Sequence, residues 1–156
     1  LHVCQTKGIA VILDISHPSL RQLLEYQPLL IKPNDEELQA IFGLSVNNDQ
    51  QAITALTELH TSGAQNVLIT LGSKGMYFSN GADRWFCSAP EIDLVSSACA
   101  GDASLAAFLS LWLTGGSVED ALRRASATGA DVAGSAGLGQ LKNIEKLIPE
   151  ITVRRI

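Results

Sequence analysis

Three short apolar runs, at positions 9–13, 29–31 and 67–71, set the class of fold open to this chain. Each is nearly continuous rather than alternating, the pattern of a parallel strand covered on both faces. Segments with helical spacing lie between them. Residues 18–26 begin at Pro18 and place Leu20, Leu23 and Leu24 on one face. Residues 48–61 repeat Ala52, Ala55, Leu56 and Leu59 before Ser62-Gly63 stops the pattern. Parallel strands need long crossover connections, so this order reads as an α/β domain.

Ligands of open α/β sheets gather at the carboxyl ends of the strands, so the residues just after each run matter most. Asp14 follows the first run and either faces such a site or bonds the backbone of its own loop. Lys32-Pro33-Asn34 follows the second. Asn34 and Glu37 have the spacing of a capping box, ahead of an apolar stripe of Leu38, Ile41 and Phe42. The same two residues can also set an amide and a carboxylate near phosphate-bound Mg²⁺, which keeps several waters. After the third run, Gly72-Ser73-Lys74-Gly75 makes a tight turn without P-loop spacing, and its glycines would let a ligand approach the backbone. Met76-Tyr77-Phe78 alternates like a hairpin partner, and Arg84-Trp85-Phe86-Cys87 returns after an Asn80-Gly81 turn, giving an antiparallel edge.

The second half is organised around Ser97-Ala98-Cys99-Ala100-Gly101-Asp102, which ends a strand-like run and opens the most apolar helix. Leu105, Phe108, Leu109 and Trp112 form its expected core stripe, and Gly115-Gly116 its stop. Unpaired N–H groups and the helix dipole favour an anion at such a start. Asp102 either caps the helix or stands beside the bound group. A further helix over 118–133 presents a face of small residues, among them Ala125, Ser126, Gly129 and Ala133. That face serves either close helix packing or a flat ring laid against it. Leu138-Gly139 closes a loop, residues 143–148 read as helical, and 151–153 read as a last strand. Residues 1–7 read as the tail of a helix that Gly8 ends, so a preceding part of the protein is expected.

Composition narrows the function. A chain of 156 residues, 46% hydrophobic and 17% charged, is long enough for one domain with a full core. Its formal charge of −5, without clustered Lys and Arg, argues against a nucleic-acid binder. No apolar run reaches the roughly 18–20 residues that span a bilayer, and a cytoplasmic location is expected. Cys4, Cys87 and Cys99 are odd in number and lack a C-x-x-C spacing, which points to reduced thiols rather than disulfides or zinc. A thiol at a helix start invites a nucleophilic reading for Cys99, but no His has a context that marks it as the partner base.

Taken in order, four motifs resemble the PfkB/ribokinase family of carbohydrate kinases. They are Val11-Ile12-Leu13-Asp14 with Ser16, Ile31-Lys32-Pro33-Asn34 through Glu37, the stretch from Ile69 to Gly75, and the stretch from Ile92 to Asp102. The resemblance is to the C-terminal half, and most to the 1-phosphofructokinase and tagatose-6-phosphate kinase branch. It implies a ribokinase-like three-layer α/β/α sandwich, mostly parallel with an antiparallel edge, without the N-terminal half and lid. Residues 1–156 would then form the nucleotide-binding and catalytic portion of a sugar kinase domain. The implied activity is ATP- and Mg²⁺-dependent phosphorylation of a sugar phosphate, fructose 1-phosphate to fructose 1,6-bisphosphate. Tagatose 6-phosphate or another sugar as substrate, and nucleotide binding without catalysis, are the alternatives.

Residue by residue, the resemblance makes Asp102 the catalytic base and the backbone at Ala100 and Gly101 an anion hole. Asn34 and Glu37 match the motif that organises Mg²⁺ and phosphates, with metal contact through water. Thr70, Gly72, Ser73, Lys74 and Gly75 match the nucleotide-binding turn, and Ser126 falls near the adenine. The implied partners are ATP and a sugar phosphate, with a homodimer in the full-length form and neither nucleic acid nor membrane. Phosphoryl transfer asks for positioning, charge stabilisation and a carboxylate that takes the hydroxyl proton, which suits these residue types. Two positions depart from the family pattern. Cys99 stands where Gly or Ala is usual, and Ala103 replaces a common Ser or Thr.

Overall fold

In the computed structural model, which describes residues 1–136 and 139–156, the first two apolar runs yield strands of only two residues each, β1 (Ile12–Leu13) and β2 (Leu30–Ile31). The third gives β3 (Val67–Thr70). Pairing is parallel, with Ile12 opposite Leu30, Leu13 opposite Ile31, and Ile31 opposite Val67. β4 (Met76–Ser79), β5 (Arg84–Cys87) and β6 (Val153–Arg155) complete an open six-stranded sheet in the order β1-β2-β3-β4-β5-β6. A short turn closed by Asn80 N–H on the Asp83 carbonyl joins β4 to β5, and so short a link permits only antiparallel neighbours. The sheet is therefore mixed. Leu138 of the expected Leu138-Gly139 loop lies outside the described residues.

The chain forms two compact units. The first comprises Leu1–Leu71, Tyr77–Arg84 and Arg155–Ile156. It opens with α1 (His2–Thr6), ended at Gly8 as expected, followed by α2 (Leu20–Leu23), which tightens into a 3₁₀ turn at Leu24–Tyr26. The capping-box helix is short: α3 (Asp35–Glu37) widens at once into a π turn over Leu38–Phe42. α4 (Asp49–Thr61) is capped by Asn48, whose Oδ1 accepts from Gln51 N–H at 2.9 Å. Its Ala52, Ala55, Leu56 and Leu59 are all buried, with Val67, Leu68 and Ile69 of β3 also in the core. Burying one such leucine stabilises the fold by about 1.5–3 kcal/mol, so this stripe holds α4 in place.

The second unit comprises Gly72–Met76 and Trp85–Arg154. Its main elements are α5 (Ala100–Trp112) and α6 (Val118–Ala133), which pack on each other, and the short α7 (Ile144–Leu147). Ser117 caps α6 through Asp120 N–H at 3.1 Å, and Trp85 Nε1–H donates to Glu119 Oε1 at 2.9 Å. The small face of α6 is what lets α5 come close. A Cβ on Gly129 would lie 3.2 Å from Ser104 Cβ, so even alanine would be tight there.

Four expectations are corrected. Residues 92–95 form no strand. Val95 and Ser96 N–H both donate to the Ala133 carbonyl at the end of α6, and Ile92, Leu94 and Val95 stay exposed. An apolar run becomes a strand only where a neighbouring edge offers a ladder. The core stripe of α5 is thinner than its spacing predicts, with Phe108 buried but Leu105, Leu109 and Trp112 only half-buried. β4 does not alternate, since all four of its residues are buried. The last strand begins two residues late because Ile151 N–H closes a turn on the Ile148 carbonyl instead of joining a ladder.

Candidate functional site

In the first unit, the polar residues of the motifs collect along the carboxyl ends of β1, β2 and β3. Asp14 stands one residue beyond β1 and Lys32 one residue beyond β2, and Lys32 Nζ lies 3.0 Å from Asp14 Oδ2. Asn34 forms a parallel bridge with Thr70 at the end of β3, and Thr70 N–H donates to the Pro33 carbonyl at 3.1 Å. This is the edge where an α/β sheet presents its ligand.

The capping box forms in both directions. Asn34 Oδ1 accepts from Glu37 N–H at 2.8 Å, and Glu37 Oε2 accepts from Asn34 N–H at 2.9 Å. Ser16 Oγ–H donates to the other carboxylate oxygen, Glu37 Oε1. Asp35, Glu36 and Glu37 fill the first turn of α3, so its N-terminus is already compensated by negative charge. Such an end repels phosphate and suits a hydrated cation. Glu37 uses two of the roughly four acceptor positions of a carboxylate, which leaves room for the waters of a Mg²⁺ ion. Among the described residues no group of three or more His, Cys, Asp or Glu is gathered for a metal, and Mg²⁺ commonly takes only one or two carboxylates beside phosphate and water.

In the second unit, Gly72–Lys74 forms a 3₁₀ turn closed by Gly75 N–H on the Gly72 carbonyl at 3.1 Å. Gly72, Ser73 and Lys74 are exposed and Gly75 is buried. A Cβ on Gly75 would sit 2.2 Å from the Cys87 carbonyl oxygen, at a φ of +99°. Close approach of β5, rather than of a ligand, therefore requires glycine at that position.

The start of α5 differs from the other capped helices. Its N-cap, Cys99, has left-handed backbone at φ 62° and makes no side-chain capping bond. Ala100 N–H donates to the Ser97 carbonyl at 3.3 Å and Ala103 N–H to the Cys99 carbonyl at 3.0 Å. Gly101 and Asp102 N–H take no partner among the described residues, and they are the amides open to an anion. The Asp102 side chain is exposed and does not cap the helix.

Ser126 is buried, and its hydroxyl donates to the Ser88 carbonyl at 2.8 Å. That hydroxyl is already committed within the protein. Next to it, burial pushes the Cys87 thiol from its ordinary 9.0 up to about 12, against smaller opposing effects of Ser126 and Arg123. Cys87 is a packing residue, not a nucleophile. Sequence reasoning quoted Lys32 only as part of a motif and missed its role: a buried cation facing the aspartate of the neighbouring strand. The available signal was that both residues directly follow apolar runs that pair in parallel.

The chain is similar to known carbohydrate kinases. D-tagatose-1-phosphate kinase of Klebsiella oxytoca is 61% identical over 98% of this chain and 50% of its own length. The 1-phosphofructokinase of Bacillus subtilis is 31% identical over 98% of this chain and 50% of its own. A crystal structure of Arabidopsis thaliana ribokinase complexed with ribose and ATP superposes with a TM-score of 0.80 at 29% identity, covering 94% of this chain and 50% of that one. The chain thus spans about half the length of the curated relatives it matches. The profile described as pfkB family carbohydrate kinase matches residues 1–145, through both the strand-end motifs and the start of α5, and on that match the chain belongs to the pfkB family of carbohydrate kinases.

Proposed function

We propose that the chain is the C-terminal, nucleotide-binding and catalytic portion of a kinase that transfers the γ-phosphoryl group of ATP to a hydroxyl of a ketohexose 1-phosphate. The observation that carries the sugar class is the 61% identity to a D-tagatose-1-phosphate kinase. It supports D-tagatose 1-phosphate over the fructose 1-phosphate expected from sequence.

Asp102 acts as general base. Its exposed carboxylate takes the proton of the sugar hydroxyl as the new O–P bond forms. The open N–H groups of Gly101 and Asp102 stabilise charge on the phosphoryl oxygens, aided by the positive end of the α5 dipole. Ala100 contributes less than expected, since its amide already bonds Ser97. Glu37 and Asn34 would hold waters of the Mg²⁺ that accompanies the nucleotide phosphates. When bound, that ion neutralises phosphate charge and orients the phosphoryl group. The exposed 72–74 turn is assigned to the nucleotide. A cytoplasmic location and a homodimer of the full-length form belong to the same proposal.

A second reading, nucleotide binding without turnover, is favoured by the exposure of Asp102, because water competes at an open site. One experiment separates the two. The chain is incubated with Mg²⁺, ATP and either ketose 1-phosphate, with ADP release and nucleotide affinity both measured. Transfer is expected with both sugars, D-tagatose 1-phosphate being preferred. Asp102→Asn should lower kcat by about 10²- to 10⁴-fold while nucleotide affinity holds. Affinity for ATP without ADP release supports the second reading, and transfer undiminished in Asp102→Asn overturns the base assignment.

A further inference from the structure

The loop after β1 sends two side chains to the loop after β2. Asp14 meets Lys32, and Ser16 meets Glu37. Lys32 is only 6% exposed, and a buried ammonium is tolerated because a carboxylate replaces its water. The backbone is tied at the same place, Lys32 N–H donating to the Leu13 carbonyl at 3.1 Å. The loop is thus anchored two and three residues before Ser16, at Asp14 and Leu13.

The second link exceeds what helix capping needs. A capping box uses one carboxylate oxygen, and Glu37 Oε2 fills that role on Asn34 N–H. The Ser16 bond to Oε1 is not part of the box itself; it acts on the carboxylate that makes the box. A carboxylate held by one oxygen can still turn about its last torsion, which is broad. Held at both oxygens, its plane is fixed, and with it the directions of the unused acceptor positions.

We infer that Ser16 is a positioning residue. Through Glu37 it sets the acceptor directions offered to the waters of a phosphate-bound divalent cation, and the Asp14–Lys32 pair anchors the loop that presents it. This rests on the reading of Glu37 given above. Ser16 itself touches no reacting group. Outer partners that orient the groups around a metal commonly matter nearly as much as those groups.

The test compares the whole chain with Ser16→Ala, Ser16→Thr, Glu37→Gln and the Ser16→Ala/Glu37→Gln double variant. Ser16 is exposed, so its truncation leaves the fold intact. In the ligand-free protein, Ser16→Ala should speed hydrogen exchange at Asn34 N–H by roughly 3- to 10-fold, the scale of one lost hydrogen bond. Thr70 N–H, bonded to the Pro33 carbonyl, should not change, and Ser16→Thr should restore Asn34. In calorimetric titration with Mg²⁺·ATP, Ser16→Ala should weaken binding by a similar roughly 3- to 10-fold, and the double variant should bind no more weakly than Glu37→Gln alone. Unchanged exchange at Asn34 in Ser16→Ala, or effects of the two substitutions that multiply, overturns the inference. If Glu37→Gln leaves Mg²⁺·ATP affinity untouched while Asn34 exchange still rises in Ser16→Ala, the magnesium reading of Glu37 fails and the positioning of Glu37 by Ser16 stands.

Discussion

Two helix starts in this chain obey opposite rules. At α3 the first turn is closed: Asn34 and Glu37 cap each other, Ser16 takes the spare oxygen, and three acidic side chains answer the dipole. At α5 the turn is open, with a left-handed Cys99, no side-chain cap, and amides at Gly101 and Asp102 that are free among the described residues. A closed start satisfies its own backbone and leaves carboxylate lone pairs outward, which suits hydrated cations. An open start leaves N–H groups outward, which suits anions. One family of helix termini therefore yields two chemistries, decided by which side chains fill the first turn.

The contrast can be broken most severely at Asp102, where loss of the base carries the largest effect, as set out above. The next largest lies beneath the closed start. Lys32→Met strands Asp14 beside an apolar side chain, and urea unfolding should register a loss of about 1–3 kcal/mol, below the figure for a fully buried pair because Asp14 keeps contact with solvent. Lys32→Met combined with Asp14→Leu should recover most of that loss, since no uncompensated charge remains. A single variant no less stable than the parent would mean the pair is not an anchor.

Smaller effects sharpen the comparison. Asn34→Ala removes the acceptor of Glu37 N–H and should cost about 1 kcal/mol in the same unfolding measurement. At α5, by contrast, there is no side-chain cap to remove. Cys99→Gly should be neutral or slightly stabilising, because relief of left-handed strain worth about 1–2 kcal/mol is partly offset by glycine's extra chain entropy, about 0.5–1 kcal/mol. A clear destabilisation on Cys99→Gly would show that the thiol makes a contribution its backbone does not explain.

Legibility in the sequence followed the range of the forces involved. The α4 stripe, the Asn34/Glu37 box and the Asn80–Asp83 turn were readable because each is settled within a few residues. The strand-like reading of the run before Ser97 failed for the complementary reason. The Val95 and Ser96 amides are taken by the Ala133 carbonyl, far along the chain, and local apolarity carries no record of that partner. Gly75 was misread in a similar way, since its need for glycine comes from the Cys87 carbonyl.

The sequence by itself determined the alternation of buried strands and helices, the helix caps and the motifs that mark the family, all products of local spacing and side-chain chemistry. Tertiary structure alone decided which groups remain free to act. It buried the Ser126 hydroxyl against Ser88, paired Lys32 with Asp14, bound Ser16 to Glu37, and left Gly101 and Asp102 open. Whether a polar group is available depends on partners brought from distant positions, because each hydrogen bond made inside the protein is one withdrawn from any ligand.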